Sequence, residues 1–154
     1  MAVGVFPRPP ERAVVAPLFE ERFVGVARRG HPGIVGGRMD AATFAGLPHA
    51  LVTTRRDATG AVDEALAARG LKRRIALTLP YAMALPVALE GTDLVASLPS
   101  RLARRVAEDG GVQIFDLPVD VEAWTVSMLW PASARNDRAL GWLRETIRGL
   151  AAAV

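Results

Sequence analysis

The two histidines, His31 and His49, are the natural starting point for chemistry in this chain, because there is no cysteine and histidine is the side chain that ordinarily titrates near neutral pH. His49 opens the segment "HALVTT". An imidazole at a strand mouth beside the hydroxyls of Thr53 and Thr54 could hold an anion or a polar ligand. A structural histidine is an equally good reading, and both stay open. His31 lies in "RRGHPG". No acid or nucleophile neighbours it in sequence, so it reads as a turn residue rather than a general base, which would need a partner within hydrogen-bond reach. Arg55 and Arg56 in "VTTRRDATG" have the charge to hold a phosphate, but a solvated loop is the stronger reading. "PGIVGG" lacks the Lys-Ser/Thr of a phosphate loop. No G-x-S-x-G elbow is present, and no spacing of carboxylates and histidines suits a metal ion. No catalytic set, metal site or cofactor motif emerges. The residues favour a ligand-binding module: a polar mouth of His49, Thr53 and Thr54 beside an apolar helix start at Tyr81, Ala82 and Met83.

The elements that must position these residues alternate. "AVGVF" at 2–6 reads as a strand ended by "PRPP". "AVVAPLF" and "ERFVGVARRG" read as two more strands, with a bend or bulge at Glu20 and Glu21. "HPGIVGGR" is a loop, and "DAATFAGLP" is a short helix capped by Asp40. "HALVTT" is a strand. "TGAVDEALAARG" is a helix stopped by Gly70, and "RRIALTL" is a strand. "YAMALPVALEG" is an apolar helix interrupted by Pro86. "LEGTDLVASLPSRLARR" at 89–105 gives a turn, a strand begun by Asp93, and a helix with Ser100 as N-cap. Arg101, Arg104 and Arg105 form the solvated face of that helix. "VQIFDL" and "WTVSMLW" are strands, and "RNDRALGWLRETIRGLAAA" is a long helix with an apolar stripe of Leu140, Leu143, Ile147 and Leu150. The three tryptophans, 124, 130 and 142, are expected in the core. Strands alternating with helices predict an α/β sandwich with largely parallel pairing.

The totals bound the rest. A length of 154 residues suits one domain, and 51% hydrophobic residues can fill a core. The net charge of +3 is mild, and the basic groups at 28–29, 72–74 and 101–105 are spread along the chain with no helix-turn-helix pattern. Direct DNA binding by this chain is not indicated. No signal peptide is evident, and no run of about 18 or more apolar residues appears. A cytoplasmic, non-membrane protein is the expectation.

Four stretches taken in order carry more than any one of them. "PLFEERFVGVARRGHP" at 17–32, "VDEALAARGLKRRIALTLPY" at 62–81, "GTDLVASLPSRLAR" at 91–104 and "VSMLWPASARNDRALGWLRETI" at 126–147 together resemble the effector-binding domain of LysR-type transcriptional regulators. Within that family they are most similar to the branch that senses aromatic carboxylates and nodulation flavonoids. The resemblance covers nearly the whole chain. It implies a periplasmic-binding-protein-like fold of type 2, in which two α/β subdomains flank a ligand cleft. On this reading residues 1–47 and 121–154 make one subdomain and 48–120 the other. Met1 to Val5 falls at the third strand of the first subdomain, so that subdomain is expected to be incomplete and the chain N-terminally truncated.

The resemblance also implies a function. The chain is expected to be a non-enzymatic sensor of a small aromatic or carboxylated effector, acting on DNA only through a helix-turn-helix outside it, and forming a homodimer. Carried over residue by residue, His49 matches a ligand-side histidine and Val126 an apolar wall position. Pro80-Tyr81-Ala82 stands where related aromatic-acid sensors have "PHF". Tyr81 keeps a hydrogen-bonding tip without titration near neutrality, and Ala82 leaves a wider pocket. The alternative readings are a solute-binding protein or a degenerate regulator fragment that binds no ligand.

Overall fold

The computed structural model describes residues 1–53, 60–108 and 110–153. By contacts the chain forms two compact units, one of residues 1–21 and 123–154 and the other of residues 22–122. The contact units divide at 21/22 and 122/123, where the sequence reading places subdomain boundaries at 47/48 and 120/121. The reason is hydrogen bonding. Strand β3 (Phe23–Arg28), placed by the sequence reading in the first subdomain, is laddered on both sides into the sheet of residues 22–122.

The first unit is a three-stranded antiparallel sheet with one long helix. Its strands are β1 (Ala2–Gly4), β2 (Ala13–Glu21) and β8 (Trp124–Pro131), in the order β1-β8-β2. The register of β2 against β8 slips between Pro17 and Phe19. The irregularity thus sits at Pro17 rather than at the expected Glu20-Glu21. Proline has no N–H to give the ladder and is tolerated on an edge strand such as this one. Helix α5 (Arg138–Ala152) is capped by Asp137, whose Oδ1 accepts from the Leu140 N–H at 3.0 Å. Leu140, Leu143 and Ile147 of the expected stripe are half-buried, but Leu150 is 64% exposed. Of the tryptophans, Trp130 is buried, with the Arg144 guanidinium 4.9 Å from its ring centre, whereas Trp142 is 70% exposed, against expectation.

The second unit is a five-stranded sheet in the order β5-β4-β6-β3-β7, with helices on both faces. Here β4 is Pro48–Val52, β5 Arg74–Leu79, β6 Val95–Pro99 and β7 Val112–Phe115. The helices are α1 (Ala41–Gly46), α2 (Ala61–Ala67), α3 (Leu85–Leu89) and α4 (Ser100–Ala107). Strands β4 to β7 are separated by helices and run in one direction, as the alternation demands. Strand β3 enters reversed between β6 and β7. The pairing is consequently parallel for β4·β5 and β4·β6 but antiparallel for β3·β6 and β3·β7. With the antiparallel first unit, this makes the described sheets mixed rather than largely parallel. Two local readings also change. Pro86 lies in the first turn of α3, following a 3₁₀ turn at Ala82–Ala84, so it begins that helix instead of interrupting it. Pro99 occupies the N-cap position of α4, and Ser100 is its first helical residue.

Alternation along β3 sorts the core into two layers. Val24 and Val26 pack with Leu85, Leu89, Leu98 and Val106 under α3 and α4. Ala27 packs on the opposite face with Phe44, Leu66, Val95 and Phe115 under α1 and α2. Gly25 belongs to this second face, directly across the ladder from Phe115. A Cβ at position 25 would lie 2.3 Å from the Phe115 ring, so only glycine lets the ring lie flat across β3. Phe115 in turn meets Phe44 edge-on at 6.2 Å between ring centres. The expected outcome is a coupled pair. Gly25→Ala should cost about 2 kcal/mol or more by overpacking, and Phe115→Ala about 3–5 kcal/mol. In the Phe115→Ala background the Gly25→Ala cost should fall below about 1 kcal/mol, as measured by urea unfolding of all four proteins.

Candidate functional site

The carboxyl ends of β4, β5 and β6 lie along one edge of the second unit, the edge at which open α/β sheets bind ligands. Thr53 follows β4 and is half-buried, and its N–H donates to the Leu79 carbonyl at 3.0 Å, clamping the β4 and β5 ends together. Tyr81 follows β5 two residues beyond Leu79 and is 73% exposed. Ala82 begins the 3₁₀ turn beside it. At the end of β6 the Ser100 N–H donates to the Arg22 carbonyl at 2.8 Å. The Arg22 guanidinium pairs with Asp116, just past β7, at 3.4 Å. Arg22, Phe23, Asp116, Leu117 and Val119 line a shallow pocket of about 200 Å³ at this end. Thr53, Tyr81 and Ala82 are therefore brought to one edge, and Ser100 and Arg22 join them. The sequence reading missed the last two as edge residues because each was assigned to a cap or a strand. The strand–Pro–Ser order of "SLPS" was the available signal. Thr54, Arg55 and Arg56 lie outside the described residues. Val126 belongs to the other unit, in β8, half-buried and paired with Phe19 of β2.

His49 is at the opposite end of β4. Thr53 lies four positions further on, just past the end of β4, roughly 13 Å away at about 3.3 Å per residue, so His49 and Thr53 do not share a mouth. Its side chain is completely buried. Nε2 lies 2.8 Å from the Phe44 carbonyl, and the ring meets the Phe44 ring edge-on at 4.6 Å. A carbonyl can only accept, so Nε2 carries the proton. Burial pushes the His49 pKa down to about 4, against the Phe44 hydrogen bond that raises it. The Arg73 charge lowers it further, and the Asp63 charge raises it. Arg73 itself is buried and grips Asp63 through two hydrogen bonds of 2.8 and 2.7 Å. Burial works against the Asp63 charge, but the Arg73 bonds and charge overcome it and hold the carboxyl below its ordinary range.

His31 is also buried, at 2% exposure, not an open turn residue. Its Nδ1 accepts from the Gly33 N–H at 3.0 Å, which leaves Nε2–H to donate to the Asp93 carbonyl at 3.3 Å. The acid absent from its sequence neighbourhood is supplied in space: Asp93 Oδ1 lies 4.0 Å away. Arg28 completes the cluster, bonding the Thr92 carbonyl at 2.9 Å and Asp93 Oδ1 at 3.0 Å. Asp93 thus staples the end of β3 to the turn that enters β6. Among the described residues no group of three or more His, Cys, Asp or Glu side chains is placed to hold a metal ion.

Comparison with known proteins identifies this arrangement. The LysR substrate binding domain matches residues 1–152. The chain belongs to that family. It is 30% identical over 145 residues to the HTH-type transcriptional activator NagR of Ralstonia sp, covering 94% of this chain and 48% of that protein. It is 30% identical over 131 residues to the nodulation protein D 1 of Bradyrhizobium japonicum, covering 84% of this chain and 40% of that protein. The chain therefore spans about half the length, or less, of these curated relatives. The regulatory domain of MexT, a transcriptional activator in Pseudomonas aeruginosa, superposes with a TM-score of 0.80 at 29% identity, covering 95% of this chain and 70% of that one. The MetR regulatory domain of N. meningitidis shares the fold at a TM-score of 0.73 and 15% identity. The LysR domain has the type 2 periplasmic-binding-protein-like fold expected from the sequence. No helix among the described residues is long and apolar enough to cross a membrane.

The buried, neutral His49 of this LysR domain has a pH consequence. Unfolded, it takes a proton near pH 6.5; folded, only near 4. Between those values the unfolded chain binds more protons, so stability is full above about pH 6.5 and falls as pH drops towards 4. The expected loss is about 2 kcal/mol between pH 7 and pH 5. The depressed carboxyls Asp40 and Asp63 contribute above their unfolded value of 3.8 and are lost below it, outside this window. Urea unfolding at pH 7, 6 and 5 should show that slope, and His49→Gln should flatten it. In the same assay Asp63→Ala should cost about 3–5 kcal/mol, because it leaves the Arg73 charge buried without a partner.

Proposed function

We propose that this LysR domain senses a small aromatic or carboxylated molecule at the strand-carboxyl edge of its second unit, and that occupancy controls transcription through a DNA-binding region outside this chain. The observation that carries the reading is the meeting of two facts. The family match covers residues 1–152, and the hydroxyl-bearing Thr53 and Tyr81 stand together at the edge where such sheets take ligands. The curated relatives NagR and NahR are named as transcriptional activators, which supports the regulatory half of the proposal. In this reading the Tyr81 hydroxyl and the groups at Thr53 and Thr54 recognise the polar end of the effector. The small Ala82 side chain leaves room for its ring. Control requires that the effector bind one conformational state of the regulator more tightly than another. The expected homodimer belongs to the same proposal, and sedimentation of the purified chain tests it.

A panel of aromatic and aliphatic carboxylates tests the reading by thermal unfolding. A true effector at about 100 times its Kd adds about 2.7 kcal/mol, equivalent to a rise of roughly 5–10 °C in Tm for a chain of this size. Tyr81→Phe should weaken binding about 2- to 12-fold, the worth of one hydrogen bond, with the ligand-free Tm unchanged because the side chain is exposed. Ala82→Phe should exclude the bulkier members of the panel first. If no carboxylate raises Tm in a saturable way, either with this chain or with the full regulator, the proposal fails.

A further inference from the structure

Among the buried polar atoms without a partner in the described residues of the second unit, two have complementary needs. His49 Nδ1 and Arg73 Nη1 are both shielded from solvent and make no hydrogen bond. They lie on one face of the sheet. His49 and Ile75 are directly paired in the parallel β4·β5 ladder, and Arg73 precedes Ile75 by two residues, so its side chain leaves the sheet on the same side. Diagonal neighbours of this kind are within reach of long side chains. Asp63, on the α2 helix that covers this face, receives Nε and Nη2 of Arg73 and leaves Nη1 over.

We propose that one water molecule is built into this core, accepting a hydrogen bond from Arg73 Nη1 and donating one to His49 Nδ1. The occupant follows from the donor inventory. Because His49 Nε2–H is committed to the Phe44 carbonyl, Nδ1 presents a lone pair and must receive a proton donor. Arg73 Nη1 can only give one. An anion would face the lone pair, and a metal cation would face the guanidinium. A neutral group that both accepts and donates satisfies both atoms, and water is the smallest that does. Leaving the two atoms unpaired would cost the desolvation of each, and buried waters commonly serve such groups. The bridge joins β4 to the Asp63–Arg73 pair, and so ties the start of β5 and the first turn of α2 to the His49 ring.

The test uses the intact chain. A crystal structure that resolves ordered waters is expected to show one within hydrogen-bond distance of both atoms. The ¹⁵N spectrum of the His49 ring at pH 7 is expected to report the Nε2–H tautomer, with Nδ1 shifted from a free lone pair towards a hydrogen-bonded one. His49→Phe keeps a ring against Phe44 but has no Nδ1, and should lose the water while retaining the Asp63–Arg73 pair. A direct Nη1–Nδ1 contact, an Nδ1–H tautomer, an ion at the site, or a water that persists in His49→Phe would each overturn the bridge. Should His49→Phe fail to fold, the crystal and ¹⁵N results on the unaltered chain decide.

Discussion

The structure of the second unit depends on the contact of a ring with a missing side chain. Gly25 sits in β3, the reversed strand that holds β6 on one side and β7 on the other. The Phe115 ring fills the space its Cβ would need. From there an edge-to-face series runs from Phe115 to Phe44 and from Phe44 to His49, crossing the sheet from β7 to β4 beneath α1. Each ring fixes the next because close-packed interiors transmit displacement instead of absorbing it. The histidine that a sequence reader would first assign to chemistry is the last member of a packing series. Its neutrality at physiological pH follows from that position.

Polar groups in this unit are separated by end. At the amino ends of the parallel strands they are consumed by structure. Arg28, His31 and Asp93 staple β3 to the turn before β6, the Arg73–Asp63 pair holds α2 to the start of β5, and His49 is bound to the Phe44 carbonyl of α1. At the carboxyl ends Thr53 and Tyr81 remain accessible in part or in large measure.

Local signals were legible where a single short-range force decides the outcome. The Asp40 carboxylate caps α1 by accepting from the Thr43 N–H at 2.9 Å, as an Asp before an apolar helical run predicts. Gly70 takes the positive φ of 70° that ends the α2 segment. The apolar alternation of "RRIALTL" became a strand. Misreadings came where two segments distant in sequence compete. Nothing near His31 hinted at Asp93, 62 residues away. Nothing in "FVGVAR" said whether that strand would ladder with β2's sheet or with β6 and β7. Trp142 has the apolar character of a core residue, yet the helix turns it outward, since α5 presents its Leu140, Leu143 and Ile147 stripe inward instead.

By itself the sequence determined the order and type of the elements, the α/β class and the LysR family, because caps, glycines, prolines and hydrophobic period act over a few residues and a family signature is written along the chain. Tertiary structure alone decided which strands pair, where the two units divide, and which of the polar residues remain available. Those outcomes are set by ladder partners and burial between segments tens of residues apart. That is why His49, in β4, became part of the core while Thr53, just past the end of that strand, was left at the edge.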